Sequence, residues 1–289
     1  MSKRPPAALN QVEASPIRIM GHLILYVLLI VWACFTMIPL IWMLSSSFKD
    51  TQDIMSVPPQ FIPLKPTLAA YRRIFQEGMM GRWLLNSLIV SGVVTVTNVF
   101  FASLAGYAFA KLRFPGKNTI FWVLLATIMI PGQVTLIPLY VLVVNTLHLE
   151  NTYVGLIAPM IVDVGSIFLM KQYLTSLPGS LIDSARIDAC GEFGIFWKII
   201  LPLAKPGLAV LAIFTFVAQW NSFFWPLLIT NTDSMRTLQV GLATFRYQYT
   251  QDYGAMMAGA ACSAVPMIIL FLSLQKYFLR GITIGAIKG

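Results

Sequence analysis

The sequence predicts an all-α, polytopic membrane protein with six transmembrane helices and one polar two-helix loop on its cytoplasmic side. Three observations carry this. Of the 289 residues, 57% are hydrophobic and only 11% charged, with a mean hydropathy of +0.76, whereas about a quarter of the residues of a soluble domain are charged. The apolar residues gather in six runs, each near or above the roughly 20 residues that a helix needs to cross a bilayer. Between the fourth and fifth runs, segment 178–207 carries Asp183, Arg186, Asp188, Glu192 and Lys198 within sixteen residues. A charge at the bilayer centre costs roughly 3 kcal/mol, so this segment lies on the surface.

Taken in order, residues 1–18 are polar and Pro-rich and are expected to form a cytoplasmic tail with no packed structure. The apolar run 19–44 is too long for a signal-peptide core and no small-residue cleavage site follows it, so it reads as the first transmembrane helix. Segment 45–82 holds Pro58, Pro59, Pro63, Pro66 and eight charges and is expected as an extracytoplasmic loop. A core membrane domain over 83–278 then contains spans at 83–110, 120–144, 153–170, 206–230 and 255–278, and 279–289 forms a cytoplasmic tail. Pro131-Gly132 and Pro138 in the third span and Pro226 in the fifth fit backbone that lines a wet cavity, or packing kinks. The small residues Ala102, Ser103, Ala105 and Gly106, with Ala258, Gly259, Ala260 and Ala261, suit close helix packing.

Orientation follows from the basic residues. Thirteen fall on one side: Lys3, Arg4 and Arg18; Lys111, Arg113 and Lys117; Lys171, Arg186, Lys198 and Lys205; Lys276, Arg280 and Lys288. Seven fall on the other, five of them in the 45–82 loop. Both termini and the polar loop are therefore expected in the cytoplasm. The net charge of +9 is scattered beside apolar spans and forms no stripe for nucleic acid. Cys34, Cys190 and Cys262 have neither disulfide nor metal spacing.

Within the polar loop, Ser180 and Asp183 have the spacing of a capping box at a helix start. Leu181, Ile182, Ala185 and Ala189 then share one face, and Gly191 supplies a left-handed stop. Phe193, Phe196, Trp197 and Ile200 recur at helical spacing until Pro202 ends the run.

Two places inside the spans hold chemistry. Asp163 is the one carboxylate deep within a run, near mid-bilayer by helical rise; an intramembrane acid is either functional or a hydrated side chain facing a wet cavity. Gln219, Asn221 and Ser222 surround Trp220, offering hydrogen bonds and a stacking ring to a hydroxyl-rich solute, or glue between helices. Phe223, Phe224 and Trp225 are expected to face lipid or the interface. No G-x-x-x-x-G-K-[ST], H-E-x-x-H or G-x-S-x-G occurs, so the chain reads as non-catalytic, with no cofactor or metal of its own. A stand-alone channel or ion-coupled carrier is a second reading, motivated by Asp163 and the Pro-broken third span.

From Asp183 onward the loop resembles the EAA loop of binding-protein-dependent ABC importer permeases, which reads Glu-Ala-Ala, three residues, Gly, nine residues, Ile, one residue, Leu-Pro. Here Asp183-Ser184-Ala185, Ala189, Ile199, Leu201 and Pro202 hold the matching places. Asp183, Ser184 and Ala189 depart from the pattern, and loss of the glycine leaves the turn to Gly191. The tail QKYFLRGITIGAIKG resembles that of the smaller permease in the maltose transporter family of carbohydrate importers. FVAQWNSFFWPLLIT and NSLIV resemble its fifth and second helices.

The resemblance implies a type I ABC importer permease fold in a bacterial or archaeal cytoplasmic membrane. It implies a second homologous permease, two ATPase subunits that bind ATP and Mg, and an extracytoplasmic solute-binding protein. It also implies that Asp183, Ser184, Ala185, Arg186, Asp188 and Ala189 sit in an ATPase cleft, and that Arg280, Gly281 and Lys288 reach between the ATPases. The implied solute is a di- or oligosaccharide, with glycerol phosphate or another polyol as the alternative.

Overall fold

The structure, a computed structural model, describes residues 16–76, 78–248 and 252–286, with side chains described for 20–76, 78–244 and 252–276. All regular structure among them is helical. The chain begins with α1 (Pro16–Ser46), crosses the polar loop through the short α2 (Thr51–Ile54) and α3 (Ala69–Gln76), and continues into α4 (Met80–Lys111). Next come α5 (Lys117–Ile128) and α6 (Gly132–Tyr140), the latter running into a π-helical turn at Val141–Thr146. α7 (Tyr153–Ile157) passes through a 3-10 turn before α8 (Val164–Thr175). The polar loop holds α9 (Ser180–Ile187), α10 (Glu192–Ile195), a π turn at Phe196–Ile200, and α11 (Leu201–Leu203). α12 (Lys205–Trp220), α13 (Phe224–Ile229), α14 (Leu238–Gln248) and α15 (Tyr253–Ala286) complete the chain.

Among the described residues three helices are long and apolar enough to cross a membrane unbroken: Met20–Ser46, Met80–Lys111 and Tyr253–Lys276. Bent pairs supply further candidate crossings: α5 and α6 meet at 91° and the α7 and α8 segments at 46°, while α12 leaves the polar loop's Glu192–Leu203 at 78° and is parted from α13 at 221–223. The expected spans 120–144, 153–170 and 206–230 are therefore not continuous helices, and each break has a local cause. Pro131 has no N–H to donate and serves as N-cap of α6. Asp163 leaves helical geometry to cap α8. Pro226 has no N–H to donate to the carbonyl of residue 222, and the chain breaks at 221–223. The last helix runs on to Ala286, so residues 279–286 continue α15. Of the expected tail contacts, Lys288 and the side chains of Arg280 and Gly281 lie outside the described residues, as do residues 1–15.

The centre of the bundle is α4 packed on α8 and α12. Gly106 permits the closest approach: a β-carbon there would fall 2.8 Å from Met170 Cβ and 2.9 Å from the Lys171 backbone nitrogen. On the predicted cytoplasmic side the core gathers Ala102, Tyr107, Met170, Leu174, Ile195, Phe196, Ile200 and Leu211 around this contact. Phe224 is exposed, but Trp225 is buried, contrary to expectation. Its indole N–H finds a buried acceptor, the Gly155 carbonyl, at 3.1 Å.

Residues of the motif NSLIV tie α4 to the segment before α14. Asn86 Nδ2 donates to the carbonyls of Ser234 and Arg236, both at 2.8 Å, and its Oδ1 accepts from Tyr153 Oη at 2.6 Å. Ser87 Oγ accepts from the Leu238 N–H at 2.8 Å. Burial makes these bonds costly to lose.

Candidate coupling loop and solute pathway

The polar loop folds as a knob against the C-terminal end of α4. Ile182 and Ala185 of α9 are buried, while Leu181 and Ala189 are exposed, so only half of the expected apolar face is used. The expected capping box does not form: Gly179 is the N-cap, with no side-chain cap bond. Asp183 instead points outward, with Arg186 Nη1 3.5 Å from its Oδ1. Ser184, Arg186 and Asp188 are exposed beside it, and Ile187 is 85% exposed. This leaves one edge of the knob open for a partner.

The turn after α9 corrects a second expectation. Cys190 N–H donates to the Ala185 carbonyl at 2.9 Å and Ala189 N–H to the Arg186 carbonyl at 3.0 Å, the bond pair of a Schellman stop. Its left-handed position belongs to Ala189, with φ of +57°. Gly191 is extended, with φ of −64° and ψ of 154°, and caps α10. A side chain in left-handed geometry costs roughly 1–2 kcal/mol, and glycine's extra unfolded-state entropy offsets part of the relief. Ala189→Gly is therefore expected to stabilise the knob by about 0.5–1 kcal/mol, and Ala189→Val to weaken it further. Amide exchange of the 185–190 segment in both variants checks this.

In the second helix Phe196 and Ile200 are buried while Phe193 and Trp197 are 66% and 47% exposed. The π turn at Phe196–Ile200 explains the split, because i to i+5 bonding widens the turn and the 3.6-residue spacing no longer holds one face. Pro202 does not end the run. It sits at the first turn of α11, where a missing N–H is tolerated, and the chain bends at Ala204 into α12. Leu201 and Ile199 pack at the edge of the core around Met170, Phe196 and Ile200.

One polar network fixes the knob to the bundle. Tyr107 Oη, on buried Tyr107 of α4, donates to Glu192 Oε2 at 2.5 Å, and Arg186 Nε donates to Glu192 Oε1 at 2.7 Å. The Arg186 hydrogen bond, followed by that of Tyr107, holds the Glu192 carboxyl below its ordinary value. Neither Tyr107 nor Glu192 stood out in the sequence as a docking residue. The only local hint is an acidic residue at a helix start following a charged helix.

The intramembrane residues rearrange more. Asp163 is no longer inside a helix: it caps α8, its Oδ2 accepting from Ser166 N at 2.8 Å and Ser166 Oγ at 3.2 Å. It lines a cavity of about 450 Å³ between α4, α8 and α12, shared with Asn98, Thr215, Phe214 and Gln219. Trp220 is 1% exposed, stacked on Phe216, and donates its indole N–H to the Ser263 carbonyl at 3.1 Å. Its ring is therefore not available to a solute. Asn221 Nδ2 donates to the Val217 carbonyl at 3.0 Å and lines a different cleft with Phe223 and Gln239. Ser222 lines neither of these two. The structure thus unites Asp163 and Gln219 and separates them from the rest of the group.

Sequence reasoning missed a polar stripe on α4. Ser91 Oγ, Thr95 Oγ1 and Asn98 Oδ1 are buried with no hydrogen-bond partner among the described residues. Their spacing of i, i+4 and i+7 places them on one helix face, a signal hidden when hydropathy is averaged over the run.

A helical bundle with broken spans around a polar cavity and a two-helix knob at one end is the architecture of an importer permease. The chain belongs to the family described as binding-protein-dependent transport system inner membrane component, whose model matches residues 98–284. It is 40% identical over 254 residues to the arabinooligosaccharides transport system permease protein AraQ of Halalkalibacterium halodurans, covering 87% of this chain and 91% of that protein. To AraQ of Bacillus subtilis it is 37% identical, covering 87% and 90%. It is 30% identical to the sn-glycerol-3-phosphate transport system permease protein UgpE of Yersinia pestis, covering 89% and 94%. A crystal structure of a bacterial ABC transporter involved in import of the acidic polysaccharide alginate superposes with a TM-score of 0.79 at 24% identity, covering 91% of this chain and 98% of that one. That likeness speaks to the fold alone. The chain is a multi-pass ABC transporter permease.

Proposed function

We propose that this permease carries a di- or oligosaccharide into the cytoplasm by alternating access, as one of two homologous permease subunits served by two cytoplasmic ATPases and an extracytoplasmic binding protein. The observation that carries the reading is the knob at Ser180–Leu203, docked on α4 by Tyr107 and Glu192 and continuous with α12 through a 78° bend. A lever anchored at both ends turns closure of an ATPase pair into rotation of a helix bundle. In this reading ATP and Mg bind to the partner ATPases. Asp183, Ser184 and Arg186 form the open edge that enters them, and both termini are cytoplasmic. The sugar assignment draws support from the names of the AraQ relatives, and the 30% identity to UgpE keeps glycerol phosphate as the second reading.

The test is uptake into proteoliposomes. Radiolabelled arabinotriose and glycerol 3-phosphate are offered to vesicles holding this chain alone, and to vesicles holding the complex with ATPases and binding protein. Import only by the complex, and only with ATP, is expected. Flux through the chain alone would establish the channel or carrier reading instead, and import of glycerol 3-phosphate with exclusion of the trisaccharide would establish the second substrate reading. Within the complex, Asp183→Arg is expected to cut ATP-driven uptake at least tenfold, since it places a cation on the ATPase-facing edge.

A further inference from the structure

The cavity between α4, α8 and α12 has a chemical character that neither the family nor its relatives' names supply. Its lining brings together the carboxylate of Asp163, the amides of Asn98 and Gln219, the hydroxyls of Ser166 and Thr215, and the ring of Phe214. No Lys or Arg is among the lining residues. At about 450 Å³ it falls within the range of ligand pockets.

Two independent observations point to a ligand there. Asn98 is only 3% exposed and its Oδ1, shielded from solvent, has no partner among the described residues, where a folded protein ordinarily supplies one. It lies near the middle of α4, the depth at which broken-helix transporters place their solute. Secondly, the break in the α7–α8 crossing exposes backbone at membrane depth, which is tolerated where it lines a polar cavity.

The electrostatics have one sign. Helix N-termini ordinarily attract anions, but Asp163 already occupies that of α8 with its own carboxylate. An anionic solute entering the cavity would meet this charge with no cation among the lining residues to offset it. A carboxylate is at the same time a strong acceptor for sugar hydroxyls.

Resting on the import reading above, we propose that this cavity is a solute subsite for an uncharged, hydroxyl-rich molecule. Asn98 and Gln219 bind hydroxyl groups, and Asp163 binds a further hydroxyl while rejecting solutes that carry phosphate or carboxylate. Asp163 is thus a specificity-determining residue of the permease itself, separate from selection by a binding protein.

The test reads the sign of the cavity directly, in the full complex in native membranes. Cys34, Cys190 and Cys262 are replaced by serine and one cysteine is introduced by Thr215→Cys, with Phe214→Cys as a second site. Labelling rates are measured with an anionic sulfonatoethyl and a cationic trimethylammonioethyl methanethiosulfonate, each normalised to its rate with free cysteine. The cationic reagent is expected to react about tenfold faster, the size of effect a unit charge exerts across a partly hydrated cavity. Asp163→Asn, which retains a capping oxygen, should bring the ratio close to one.

Millimolar arabinotriose is expected to slow labelling, and millimolar glycerol 3-phosphate to leave it unchanged. Equal normalised rates, a ratio indifferent to Asp163→Asn, protection by glycerol 3-phosphate alone, or no labelling at either site would each overturn the proposal. ATP-driven uptake by the same complex reports separately on the import reading. Loss of uptake with the charge ratio intact counts against import, and the reverse result counts against the subsite.

Discussion

Glu192→Ala is expected to reduce ATP-driven solute uptake at least tenfold while the complex still assembles in the membrane. Glu192 is the joint of the network, receiving Tyr107 from the bundle and Arg186 from the knob. Tyr107 is 2% exposed, so truncation strands its hydroxyl away from water at a cost of about 1–3 kcal/mol. The ion pair to Arg186 is half exposed and adds less. A loss of about 1.4 kcal/mol is already tenfold in the docking equilibrium constant. Glu192→Gln keeps an acceptor for Tyr107 and is expected to retain most of the uptake.

The pH dependence separates charge from packing. Because the Glu192 carboxyl is held below its ordinary value of about 4.5, its contribution is complete above that pH and fades as pH falls through the lowered value. The gap in thermal midpoint between the native protein and Glu192→Gln should therefore be widest at neutral pH and narrow progressively as pH falls below about 4.5. A gap that persisted in acid would assign the effect to packing.

The second large effect is expected at Gly106. Gly106→Leu forces a side chain into the Met170–Lys171 backbone, where even a β-carbon lies under 3 Å from its neighbours. Backbone cannot step aside as a flexible side chain does, so α4 and α8 must separate. Overpacking costs about 1–3 kcal/mol where neighbours yield, and here the upper end applies because both partners are helix backbones. The yield of assembled complex from detergent should fall several-fold. Gly106→Ala should show a smaller loss, and an unchanged yield for leucine would mean that the two helices do not meet at this point.

Much of the architecture was legible in the residues, and the misses share a cause. The six apolar runs and the charged knob follow from hydropathy and charge, because a bilayer tolerates few exceptions. Breaks inside the runs were harder to see. Asp163 followed by Ser166 is a helix-start signal, but within an apolar stretch it reads as a lone buried acid. Ala189 shows tertiary context overriding propensity: two backbone hydrogen bonds hold left-handed geometry that alanine disfavours, while nearby Gly191 goes unused for it. Trp220 and Asn221 looked like partners because they are adjacent, yet adjacent helix positions face different directions. Tyr107 and Glu192 are 85 positions apart, and no local pattern announces such a pair.

The division between unbroken and broken crossings bears on how the protein sits in lipid. Neither α5 nor α8, at 12 residues each, is long enough at about 1.5 Å per residue to cover the hydrocarbon thickness of about 30 Å. Matching to the bilayer therefore rests on the three continuous helices Met20–Ser46, Met80–Lys111 and Tyr253–Lys276. These three run unbroken, while the half-length rods end at bent joints. Were those rods to pivot at their joints, the cavity would reorient without any helix sliding along the membrane normal, and hydrophobic mismatch with the surrounding lipid would stay nearly constant.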